Sequence, residues 1–125
     1  MAASNQTLID GSKNVVTKHV SIWETADESA VVKVDVSALQ GAPTRVKINK
    51  IHYNVNGLIV RLLWDATTDV PIVELQGDGC IDATSFGGLY NNAGAGITGD
   101  ISLTTVGGAS GDSYSIILEM EKTYS

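Results

Sequence analysis

Residues 58–75 read LIVRLLWDATTDVPIVEL, and the fold class turns on what this stretch forms. Three forms compete: a membrane segment, an amphipathic helix, or two strands joined by a turn. A spanning helix needs about 18 or more apolar residues with few charges. Here Arg61, Asp65, Asp69 and Glu74 recur throughout and Pro71 interrupts. An amphipathic helix would place its apolar residues at i, i+3, i+4 and i+7. Instead Leu58, Val60, Leu62 and Trp64 fall on every second position, alternating with Ile59, Arg61, Leu63 and Asp65. That is strand periodicity, because successive side chains of a strand point to opposite faces. Asp65-Ala66-Thr67-Thr68-Asp69 supplies turn chemistry, and residues 70–75 resume as a second, shorter strand. Pro71 has no N–H to give a ladder, so it belongs at that strand's start or at a sheet edge. The stretch reads as a β-hairpin.

The same period recurs along the chain. Val16, Val20 and Ile22 share one parity, Val15 and Trp23 the other. Val32, Val34 and Val36 alternate with Lys33, Asp35 and Ser37. Ile101 and Leu103 alternate with Asp100, Ser102 and Thr104. Tyr114, Ile116, Leu118 and Met120 alternate with Ser113, Ser115, Glu119 and Glu121. One strand breaks phase: Val46 and Ile48 share a parity, while Ile51, Tyr53 and Val55 share the opposite one. One extra residue near Asn49-Lys50, a β-bulge, would return both sets to one face. A strand buried on both faces, or one that stops and restarts, would give the same pattern.

Turn signals separate these runs, among them Asp10-Gly11, Asn56-Gly57, Gly77-Asp78-Gly79 and Gly107-Gly108. Asn56-Gly57 lies between two alternating runs and reads as a hairpin turn. No long amphipathic helical window occurs. The expectation is an all-β, single-domain antiparallel β-sandwich or barrel, jelly-roll-like, of about seven or eight strands. Residues 1–13 are polar and read as an N-terminal arm, residues 14–125 as the β domain. Residues 78–99 read as a long glycine-rich loop, a length that in compact domains marks function or disorder.

Composition narrows the function. A chain of 125 residues holds one core. Eight basic and 14 acidic residues give a net charge of −6. Such a surface repels phosphate backbones, so no direct nucleic-acid partner is expected. No membrane segment is expected either, and MAASNQTLIDGS lacks the basic start and apolar run of a secretory leader. The single cysteine, Cys80, excludes an intrachain disulfide and a four-cysteine zinc site, which suits a reducing cytoplasm.

The residues capable of chemistry are dispersed. His19 and His52 sit on different expected strands without a metal-binding spacing. Cys80 has glycine and acidic neighbours, which do not activate a thiol. Asp65, Asp69, Asp78 and Asp82 do not follow a calcium-loop pattern, and turn aspartates bond their own backbone. AGAGITGD and GDGCIDATSFGG lack the lysine and hydroxyl of a phosphate loop. Trp23, Trp64, Tyr53, Tyr90 and Tyr114 could form a sugar platform, but Trp64 and Tyr114 share the parity of aliphatic neighbours and read as core. No catalytic, cofactor-binding or metal residues are assigned, and an enzyme is not expected.

Most of the chain resembles small virion structural proteins of tailed bacteriophages. The resemblance runs through TLIDGSKNVV, VKVDVSAL, RVKINKIHYNVNGLIVRLLWDATTDVPIVEL, GGLYNNAGAGITGDISLTT and GDSYSIILEMEK. It implies a head decoration or cement protein on the outer capsid surface, made in the host bacterial cytoplasm. It also implies the major capsid protein as partner, self-association as a homotrimer, and no cofactor. The polar N-terminal stretch and the glycine-rich loop are then the expected contact regions, with Asn5, Thr7, Ile9, Phe86, Leu89, Tyr90, Asn91 and Asn92 as candidate capsid contacts. Two other readings fit the same sequence. One is a tail, neck or adaptor-associated virion protein or host-surface binding module. The other is a small carbohydrate-active jelly-roll domain.

Overall fold

The computed structural model describes residues 2–22, 29, 31–41, 43–91 and 98–123, with the backbone alone at 2, 3 and 86. Among them are seven strands: β1 (Ala2–Asp10), β2 (Asn14–Ile22), β3 (Val31–Val34), β4 (Arg45–Trp64), β5 (Val70–Asp82), β6 (Ile101–Val106) and β7 (Ser113–Thr123). Short 3-10 turns occupy Val36–Ala38 and Thr84–Phe86. Every pairing is antiparallel, in the order β1-β2-β7-β4-β6-β3, with β5 on the other side of β4. The all-β class and strand number expected from periodicity therefore hold. Between sandwich and barrel, the chain takes one curled sheet, a half-barrel.

Strand β4 is the spine. Arg45–Asn56 pairs β7 and Ile59–Trp64 pairs β6 on one side, while β5 lies along the other side from Lys50 onward. Strands β6 and β7 thus run end to end along one side of β4, interrupted by residues 107–112. The opening hairpin is β4 turning into β5 through residues 65–69, with Val60 opposite Leu75 and Trp64 opposite Val70. Leu58, Val60, Leu62 and Trp64 are all buried. Asp69 accepts the Ala66 N–H at 3.0 Å, as a turn aspartate should. Against β7 the register of β4 shifts between Ile48 and Lys50. Asn49 is the extra residue, so Val46 and Ile48 before it and Ile51 and Val55 after it all enter one core.

At Asn56-Gly57 the expected hairpin is absent, and β4 runs straight through. A two-residue turn needs the following run to fold back on the preceding one. Here both runs already hold β5 on one side, and the β6–β7 line on the other. The dipeptide instead makes a second irregularity, where the register against β5 slips between Val55 and Val60. Gly57 adopts φ 84°, a left-handed conformation that suits glycine. A Cβ there would also overlap the Asp112 carboxylate. This kink moves the inward parity from Val55 to Leu58 and curls the sheet around its core.

That core is one cluster. Trp64, Tyr114, Ile48, Ile51, Leu58, Leu62, Leu75, Ile101, Leu103, Ile116, Leu118 and Met120 are its largest members, and Val15, Val34 and Val36 belong to it as well. Strand β2 departs from the pattern. Its more apolar parity, Val16, Val20 and Ile22, faces outward, and its buried set is Val15, Thr17, His19 and Ser21. In β3 a register shift between Val32 and Val34 leaves Val32 exposed and buries Lys33 beside Val34.

Two expected boundaries also change. The arm expected over residues 1–13 is not free in its described part: Ala2–Asp10 is β1, paired with β2. Its lack of apolar alternation follows from its surroundings, since its inward side chains meet the polar face of β2. The long loop is also shorter than expected. Residues 78–82 complete β5, because the Tyr53 ring covers Gly79, where a Cβ would come within 3.0 Å of the phenol oxygen. Tyr53 and Gly79 face each other across the β4–β5 ladder, an aromatic shielding a glycine that would otherwise weaken the strand.

Candidate contact site

The sheet has two faces of opposite character at the β1–β2 end. On the inner face the half-barrel stays open between the β1–β2 hairpin and β3, leaving a cleft of about 180 Å³. Asn5, Thr7, Thr17, His19, Lys33 and Leu39 line it. His19 is the centre. Its Nδ1–H donates to Asn5 Oδ1 at 2.8 Å, and the Thr17 hydroxyl donates to Nε2 at 2.9 Å. Both ring nitrogens are satisfied in the neutral tautomer. Burial, reinforced by the nearby Lys33 ammonium, pushes the imidazole down to about 4. Ser21 Oγ, farther along the same strand, is buried without a hydrogen-bond partner among the described residues.

A second polar knot ties β1 down. The Lys122 side chain is fully buried, and its ammonium donates to Asp10 Oδ1 at 2.6 Å and to the Gln40 carbonyl at 2.7 Å, as well as to the Gly11 carbonyl. Asp10 also accepts the Gln40 N–H. The Lys122 hydrogen bond, aided by that N–H, holds the Asp10 carboxyl below the usual carboxylate range. One side chain from β7 thus joins the end of β1, the β1–β2 turn and the loop after Val36–Ala38.

The outer face carries the apolar parity of β2. Val20 and Ile117 join Lys18, His52, Tyr53, Asn54 and Ser115 around a shallow groove of about 380 Å³. Register sets Ile9, Val16, Glu119 and Lys50 in one cross-strand row, and Asn14, Glu121 and Lys47 in a neighbouring one. Glu121 bridges Lys13 at 3.2 Å and Lys47 at 3.3 Å. Lys13 first and then Lys47 hold its carboxyl low, and Glu121 in turn raises Lys47. The Lys47 ammonium lies 5.3 Å from the Tyr90 ring centroid, within cation–π range. His52 pairs with Glu119 on the same face.

The eight candidate contacts separate accordingly. Ile9 and Tyr90 are on the surface, at 54% and 62% exposure. Their side chains belong to the outer-face rows just described. Asn5 and Thr7 face the inner cleft, where Asn5 is committed to His19. Leu89 bridges Ile48 and packs against the core. Asn91 is buried. Phe86 lies in the 3-10 turn with its side chain outside the described residues, and Asn92 lies wholly outside them.

The other chemistry-bearing residues stay dispersed. Asp65 accepts from the Thr98 hydroxyl at 2.8 Å. Asp82 accepts the Thr84 N–H at 2.9 Å and its hydroxyl, which lowers its carboxyl. Cys80 is exposed on β5. No group of three His, Cys, Asp or Glu able to hold a metal occurs among the described residues. Burial raises Asp100, opposed by the Val36 N–H it accepts at 2.9 Å. No described helix is long and apolar enough to cross a membrane. Set against known proteins, the chain matches no family model, no curated protein and no solved structure.

The apolar outer parity of β2 was visible in the sequence and carried the missed signal. The inward parity of β2 is mostly polar, with Thr17, His19 and Ser21 beside Val15, so its apolar parity is the one left on the outside. Lys122 and Lys33 gave no such warning, because a buried lysine looks like any solvated one until its partners are placed.

Proposed function

We propose that the protein is a non-enzymatic virion structural protein of a tailed phage, a decoration or cement protein that binds the outer capsid across subunit junctions. The reading begins from the family resemblance of the RLLWDATTDVP and GGLYNNAGAGITGDISLTT segments. One structural observation supports it most: at the β1–β2 end the outer face carries Val16, Val20, Ile22 and Ile117, while the inner face of β2 carries Thr17, His19 and Ser21. Ile22 is exposed and Val16, Val20 and Ile117 are half-buried, and an apolar strip on the outside of a sheet is the kind of surface that marks a contact site. Around that strip, Lys47, Lys50, Glu119 and Glu121 supply charges of both signs, a polar surround of the kind that gives an interface its register and specificity.

The mechanism is linkage. A protein that binds only the assembled, expanded shell stabilises that state by mass action. Contacts repeated over the lattice convert modest single affinities into firm retention. Catalysis has no part in it.

A side-chain-resolution density map of the intact particle tests this reading. The expected result is density for this chain on the outer shell, with the β2–β7 outer face against the major capsid protein and hundreds of copies per particle on a stained gel. Density confined to the neck or tail, at a dozen copies or fewer, would replace it with an adaptor or tail role.

A further inference from the structure

Three strand edges are open among the described residues: β1, β3 and β5. An open edge presents a row of free N–H and C=O groups, and proteins block unwanted pairing with charge, proline, bulges or shortness. Strand β5 carries Pro71, Glu74, Asp78 and Asp82 and bends at Gly77, with φ 78°. Strand β3 has four residues and a register break. Strand β1 has one irregularity, a register shift between Thr7 and Ile9 that leaves Leu8 as the extra residue. Ahead of it Ala2–Thr7 is a regular run longer than the whole of β3, and Ala2 to Ile9 contains no charge and no proline. Its one carboxylate, Asp10, is engaged by Lys122. In a chain of net charge −6, β1 lets two copies meet without the opposing carboxylates that β5 carries, over a longer run than the four residues of β3.

A second observation selects how they meet. Ile9 lies near the end of β1 and pairs with Val16; Ile22 lies beside the start of β1 and pairs with Ala2. Both are 54% exposed, and both occupy the outer parity, opposite the buried Thr17, His19 and Ser21. When β1 of one copy runs antiparallel to β1 of another, the end of each strand lies beside the start of the other. The Ile9 of each copy then joins the Ile22 side of its neighbour, and two exposed apolar spots become one strip, twice per contact.

We infer that β1 is a self-association edge: two copies pair β1 to β1, antiparallel, about a two-fold axis, making one continuous sheet. Such a contact is isologous and needs no second surface. A three-fold ring would need β1 to meet a different edge of its neighbour, and β3 and β5 are the blocked ones. The inference is independent of the virion reading and differs from the trimer that the resemblance implies.

Sedimentation velocity across the micromolar range tests it on the 125-residue chain. The expected species has twice the 13.1 kDa chain mass. Ser4→Lys with Gln6→Lys places lysines on exposed, outward positions of β1, so circular dichroism stays unchanged while the dimer is lost. Ile9→Ser with Ile22→Ser keeps the edge and weakens self-association by at least about tenfold, the scale set by burying apolar side chains. A wild-type monomer at every concentration, a trimer, or a dimer that persists in the S4K/Q6K variant overturns the inference.

Discussion

Two hairpins of this molecule are built on opposite principles. In β4–β5, the inward residues of the spine are Leu58, Val60, Leu62 and Trp64, and the outward Arg61 pairs with Glu74. In β1–β2, Thr17, His19 and Ser21 turn inward and Val16, Val20 and Ile22 turn outward. The first hairpin is held by the non-directional gain of removing apolar area from water. The second is held by directed bonds: Asn5 to His19 to Thr17, and Lys122 to Asp10 and two carbonyls. Burial of apolar surface is indifferent to pH, whereas hydrogen-bonded ionisable groups are not. The contrast therefore assigns the pH-indifferent frame to one hairpin and the pH-sensitive packing to the other.

The contrast can be broken most heavily at Trp64. Trp64→Ala removes the largest fully buried side chain and costs roughly 3–5 kcal/mol, measurable by urea unfolding; a change under about 1 kcal/mol would contradict its place in the core. Next comes the Lys122 knot. Asp10→Ala strands a fully buried ammonium, whereas Lys122→Met leaves Asp10 able to reach water. Uncompensated buried charge is the costlier defect, so thermal unfolding should show a larger drop in Tm for Asp10→Ala than for Lys122→Met. Equal drops would mean that the ion pair acts as simple packing.

Acid sharpens the comparison further. His19 is held at about 4 when folded and returns to about 6.5 when unfolded. Between these values the unfolded chain binds the extra proton, so stability falls as pH drops through this window. The loss is on the order of 3 kcal/mol at about 1.4 kcal/mol per unit. Asp10, held low by Lys122, adds a further loss only below its ordinary 3.8. Asp100, held high, works in the opposite direction near there. His19→Gln should flatten the decline between pH 6.5 and 4 in denaturant titrations; an unchanged slope would acquit the histidine. Smallest is Gly57→Ala, about 1–3 kcal/mol for a left-handed backbone and displacement of Asp112. A neutral result would mean that the kink relaxes freely.

The same contrast explains what the sequence disclosed. Where the core is apolar, alternation read correctly, down to the extra residue at Asn49 that rejoins Val46 and Ile48 with Ile51 and Val55. Where it is polar, alternation misled: β1 has no apolar face to show, so it read as an arm. The Asn56-Gly57 signal was local and correct about conformation, since Gly57 is left-handed. Whether such a dipeptide reverses the chain or only kinks it depends on strands far away in sequence. Of the candidate contacts, Ile9 and Tyr90 are on the surface, Ile9 because pairing with Val16 sets it on the outer parity. The inward turn of Asn5 and Thr7 follows from β1 pairing, which no local pattern encodes.

Native-state hydrogen exchange, followed residue by residue at pH 7 and pH 5, tests the two-hairpin account most directly. The predicted result is slow exchange of β4 and β7 amides by global opening at both pH values. The β1–β2 amides open locally and lose protection relative to β4 on acidification, as His19 takes up its proton. Uniform protection of both hairpins, shifting together with pH, would contradict it.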